Sequence, residues 1–90
     1  MKPDATKTRV LSPTHSIEVG NSSWDDQQTS IRCRYDGATG RFSPRGSSEL
    51  PLGDLRPVME VAAQHDLISL ADCAAIIEAL AGSIRRRSQT

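Results

Sequence analysis

Two histidines and two cysteines, His15, Cys33, His65 and Cys73, carry the ligand chemistry of a tetrahedral zinc site. Their spacing does not build one. No two of them stand as C-x-x-C or as H-x₃-H, and both cysteines fall on apolar faces, where a free thiol behaves as a small hydrophobe. No metal or other cofactor is expected. Nucleophilic and phosphate chemistry are no better supported: serines abound, but there is no G-x-S-x-G elbow, phosphate-binding glycine loop or H-E-x-x-H pair. His65 adjoins a helix end, where histidine commonly meets free carbonyls. No catalytic residue is assigned, and the expectation is a non-enzyme.

Arginine supplies the remaining candidate chemistry. Arg32 and Arg34 share one face of a strand, Arg41 lies across the next turn, and Arg45 follows. Together they make a basic ribbon able to meet phosphates or an acidic protein surface. An ordinary solvated strand face, partly neutralised by Glu18 and Asp36, is the plainer account, because the stacking aromatics of single-strand binders are missing. Trp24 sits in a polar loop beside Asp25 and Asp26. It reads as a plug at one end of a small core, with a loop anchor for a partner as the alternative.

The elements that position these residues follow from periodicity. Residues 1–13 are polar and carry Pro3 and Pro13, and read as a flexible arm. From Thr14 the chain alternates, with His15, Ile17 and Val19 on one face and Ser16 and Glu18 on the other, a half-buried strand ended by Gly20-Asn21. A second strand places Ile31, Cys33 and Tyr35 opposite Ser30, Arg32 and Arg34. Pairing the two would set Glu18 across from an arginine. Arg41–Ser43 is expected as a short third strand, and residues 44–53, rich in Ser, Gly and Pro, as a connector.

The helices come next. One is expected from about Asp54 to His65, with Asp54 as cap and Pro57 tolerated in the first turn. The other starts after a Ser69 cap and stacks Leu70, Cys73, Ala74, Ile77, Leu80, Ala81 and Ile84 on one face. Arg85, Arg86 and Arg87 fall at its C-terminal end, where the helix dipole favours positive charge. Gly82 could instead end it early. The dimensions of Val61–Leu80 are those of a helix–turn–helix. A reading helix needs Arg, Lys, Gln or Asn near its start, and Leu70-Ala71-Asp72 is the wrong chemistry for DNA.

One segment, Arg34-Tyr35-Asp36-Gly37-Ala38-Thr39-Gly40-Arg41-Phe42, resembles the hairpin unit of YD-repeat (Rhs-type) proteins. A single copy is present, with Gly37 where those proteins usually have proline. The resemblance implies a β-turn and carries no function with it.

Composition bounds the rest. At 90 residues with three aromatics, the chain expects a small aliphatic core that a second copy or a partner would help complete. The net charge is zero, which argues against a general nucleic-acid or membrane-surface binder. Its distribution is uneven. Residues 1–48 hold seven basic and five acidic side chains, residues 49–84 one basic and six acidic, and three arginines follow. Two cysteines are too few for a disulfide scaffold, and no stretch has the length of a membrane span, so a reducing cytoplasm is the expected setting.

The expected fold is α+β: two or three short antiparallel strands, then two helices packed on one face of the sheet, with residues 14–87 forming one domain and 88–90 a tail. The expected function is a small protein–protein interaction module, an adaptor, inhibitor or regulatory subunit. Its partner is another protein or a second copy of itself, contacted through Arg32, Arg34, Arg41, Arg45, Trp24, Ile77 and Ile84. The runner-up is a nucleic-acid-associated regulator using the same arginines and Arg85–Arg87. No small-molecule substrate is evident.

Overall fold

The computed structural model describes residues 1–89. It is α+β, an antiparallel five-stranded sheet and two α-helices. The strands are β1 (Lys2–Pro3), β2 (Arg9–Ser12), β3 (His15–Asn21), β4 (Thr29–Tyr35) and β5 (Glu49–Pro51), and the helices are α1 (Leu55–Gln64) and α2 (Leu70–Ser88). The chain divides into two compact units, Met1–Arg56 carrying the sheet and a second unit that begins at Pro57.

In the first unit β3 and β4 form the central pair, with Ile17 opposite Cys33, Glu18 opposite Arg32 and Val19 opposite Ile31. This is the register that the alternation of the two strands requires. β5 pairs with the far edge of β4, while β1 and β2 share the other edge of β3. Residues 1–13, expected as an arm, therefore contribute two strands. Every residue of β1 and β2 is exposed, so what holds these strands is ladder hydrogen bonding to an otherwise bare edge, not apolar burial. A polar sequence conceals that kind of strand. The expected third strand at Arg41–Ser43 reduces to a single bridge between Asp36 and Phe42. Glu49–Pro51, inside the expected connector, takes the edge instead, where Pro51 is tolerated.

The helix boundaries follow the sequence closely. A short 3₁₀ turn (Leu52–Asp54) runs into α1, so Asp54 belongs to that turn. Asp66 ends α1 in the left-handed region at φ 55°. The Leu67 N–H donates to the Ala62 carbonyl at 2.9 Å and the Asp66 N–H to Ala63 at 3.1 Å, the paired bonds of a Schellman cap. Ser69 Oγ then accepts from the Asp72 N–H at 3.1 Å and starts α2. Gly82 does not interrupt the helix, which continues through the arginines to Ser88.

Among the described residues no hydrophobic side chain is buried. The buried side chains are polar: Glu18, Ser22, Ser30, Arg32 and Ser47.

Candidate interaction surfaces

The polar face of the β3–β4 pair is the more enclosed one. Arg32 donates to Glu18 Oε1 through Nε at 3.0 Å and Nη2 at 2.7 Å, and both side chains are under a tenth exposed. Arg34 reaches the other Glu18 oxygen at 3.6 Å and donates through Nε to Asp36 at 3.1 Å. That hydrogen bond from Arg34 to Asp36 holds the Arg34 pKa above its usual value. The Phe42 ring lies over both guanidiniums, 4.6 Å from Arg32 and 4.9 Å from Arg34. Cation–π contacts of this kind add to the attraction that holds each guanidinium in place.

Residues 36–48 bring Phe42 there. Gly37 N–H donates to Arg41 O and Gly40 N–H to Gly37 O at 2.8 Å, with Gly40 at φ 78° closing the turn. The returning segment is tied to β4: Cys33 N–H donates to Ser48 O at 3.2 Å, and Ser47 Oγ accepts from Tyr35 N–H at 2.9 Å while donating to Tyr35 O. Glu49 Oε1 accepts from Ser23 N–H and Ser30 Oγ, both at 3.1 Å. Burial acts to raise the Glu49 pKa, but these hydrogen bonds outweigh it and the carboxyl sits below its ordinary value.

The basic ribbon expected from the sequence is therefore divided. Arg32 is enclosed and ion-paired, so it cannot meet a partner, and Arg34 is half-buried and committed to two carboxylates. Arg41 and Arg45, on the 36–48 segment, remain exposed. The pattern identified the strand face correctly, but not that Phe42 would cover it. Trp24, expected as a core plug, is half exposed and donates its indole N–H to Gln28 Oε1 at 3.2 Å. With no buried apolar core in the described residues, there is nothing for it to close.

On the other face of the sheet, His15 stacks on Tyr35 with ring centroids 4.1 Å apart, beside exposed Cys33. His15 Nε2 is buried without a hydrogen-bond partner. Both cysteines are free thiols, and among the described residues no three His, Cys, Asp or Glu side chains gather to hold a metal.

The second unit carries an open apolar stripe. On α2, Leu70 is 90% exposed, Ile77 66% and Ile84 60%. Their seven-residue spacing aligns them along one line of the helix, with Leu80 also exposed on its flank. Val58 and Val61 on α1 and Leu67 in the link are open too. Ile77 and Ile84 were legible in the sequence as site candidates. Leu70 was legible as the first residue of the same stripe, and it is the most exposed of the large apolar side chains described; Leu67, in the link, was not singled out. Among the described residues no helix is long and apolar enough to cross a membrane.

No protein-family model, curated protein or solved structure matches the chain.

Proposed function

We propose that this chain is a small non-enzymatic interaction module, an adaptor, inhibitor or regulatory subunit, that lays the apolar stripe of α2 on another protein surface. The observation that carries this reading is the open line of Leu70, Ile77 and Ile84 in a chain whose described residues bury no hydrophobic side chain. Contiguous apolar surface of this kind marks sites of association in soluble proteins. Exposed Arg41 and Arg45 add positive charge suited to an acidic contact. Arg32 drops out of the contact set, and Trp24 changes role to an exposed loop anchor. The two free thiols fit a reducing cytoplasm.

The test is photocrosslinking in cells that express the chain, with a benzophenone side chain placed at Ile77 or Ile84. Ala75, also exposed but on the opposite side of α2, serves as the control position. Protein adducts from 77 and 84, and not from 75, are expected. Equal or absent adducts at all three positions would overturn the reading. So would salt-sensitive nucleic-acid binding at about 50 mM salt that is lost on Arg41→Glu with Arg45→Glu, which would promote the nucleic-acid alternative.

A further inference from the structure

The α2 stripe has a pattern that selects its own occupant. Leu70, Ala74, Ile77, Ala81 and Ile84 recur at alternating four- and three-residue steps, the spacing of a two-helix seam. The large residues occupy one set of positions and the alanines the other. In an antiparallel pair of such helices, each position of one set faces a position of the other set. Leu70 then packs against the partner's Ala81, and Ile77 against the partner's Ala74, so every large side chain meets a small one. A parallel pair would instead place Leu70 on the partner's Leu70 and leave the alanine layers underfilled.

Charge selects the same arrangement. Arg85 and Arg86 extend exposed from the C-terminal end of α2, whereas Asp66 and Asp72 flank its N-terminal end. Antiparallel pairing brings the arginine-rich C-terminal end of one helix to the acidic N-terminal end of the other, which carries the partner's Asp66 and Asp72. Parallel pairing would crowd both arginine clusters together. Glu78, the one acidic residue in the middle of the helix, faces the partner's Ala71 and not a second carboxylate. Ile84 falls at the N-terminal end of the partner's helix, next to the link that carries Leu67, itself 73% exposed.

We infer that the occupant of the α2 stripe is a second copy of this chain, joined antiparallel about a two-fold axis between residues 75 and 76. This rests on the interaction-module reading and names its partner. The interface is isologous, so it closes at two copies.

Sedimentation of the intact chain, together with disulfide trapping in a Cys33→Ser, Cys73→Ser background, tests the inference. Circular dichroism checks that each variant keeps its helical signal. Leu70→Cys mixed with Ala81→Cys should trap a mixed dimer in high yield. Leu70→Cys alone should not, because antiparallel pairing holds the two copies of residue 70 roughly 16 Å apart along the axis at about 1.5 Å per residue. Ile77→Asp should leave the helical signal intact and weaken dimerisation at least about a hundredfold. Arg85→Glu with Arg86→Glu should weaken it about tenfold, and less so at high salt. A monomer at all concentrations, or trapping of Leu70→Cys with itself, overturns the inference. If the chain is monomeric while photocrosslinks from 77 and 84 still capture another protein, the interaction module stands and the self-pairing falls. If no protein adduct forms at all, both fall.

Discussion

The sharpest energetic test lies in the Glu18–Arg32 pair. Replacing Arg32 by methionine keeps much of the aliphatic stem under Phe42 but removes the charge. Glu18, 4% exposed, would then hold a carboxylate without the guanidinium that donates twice to its Oε1. Breaking a buried pair in this way costs about 3–5 kcal/mol. Arg34, 3.6 Å from the second oxygen, stays to carry part of the charge, so a loss of about 2–3 kcal/mol is expected. A chain this small holds only about 3–5 kcal/mol in total, so the single variant should be close to unfolding. Adding Glu18→Leu removes the stranded carboxylate, and Arg34 keeps Asp36 as its partner. The double variant should return to within about 1 kcal/mol of the parent. Urea unfolding followed by Trp24 fluorescence reads this directly: at about 1 kcal/mol per molar urea, the midpoint should fall by about 2–3 M in the single variant and recover in the double. A single variant within about 0.5 kcal/mol of the parent would refute the argument, because a loss that small is what a solvated pair gives. So would a double variant as damaged as the single. The same physics means that charge reversal at Arg32 tests folding and not nucleic-acid binding.

Two further predictions concern the edges of the sheet. A Cβ at Gly20 would run into the backbone carbonyl of Lys2, so Gly20→Ala should displace β1 at a cost of about 1–3 kcal/mol; amide exchange at Asp4, whose N–H donates to Val19 O at 2.8 Å, should accelerate while Ile31 stays protected, and unchanged protection at Asp4 would refute it. Glu49 has a folded pKa below its ordinary 4.5, so its contribution is complete above that pH and disappears as the pH falls through the lower folded value. The stability gap between the parent and Glu49→Gln should therefore hold at neutral pH and shrink below about pH 4.5, and a pH-independent gap in urea midpoints would show that the Ser23 and Ser30 hydrogen bonds do not favour the carboxylate.

Local chemistry alone determined a good deal. Alternation assigned His15–Val19 and Ile31–Tyr35 to strands and divided their side chains correctly between two faces, because the pleat has a period of two whatever lies above it. Ser69 announced its helix because a hydroxyl at that position satisfies an N–H that the helix itself cannot. The seven-residue recurrence of Leu70, Ile77 and Ile84 was likewise present in the chain as written. What tertiary structure decided is which faces are covered. Alternation says that Arg32 and Ile31 point opposite ways, but not that residues 36–48 return along β4 and set Phe42 over the arginines. β1 and β2 escaped for a related reason: backbone ladders to the edge of β3 hold them, and backbone groups are the same in every residue but proline. Periodicity is a property of neighbours in the chain, whereas enclosure belongs to segments that meet only after folding. That is why the arginine ribbon looked open in the sequence and is half enclosed in the fold.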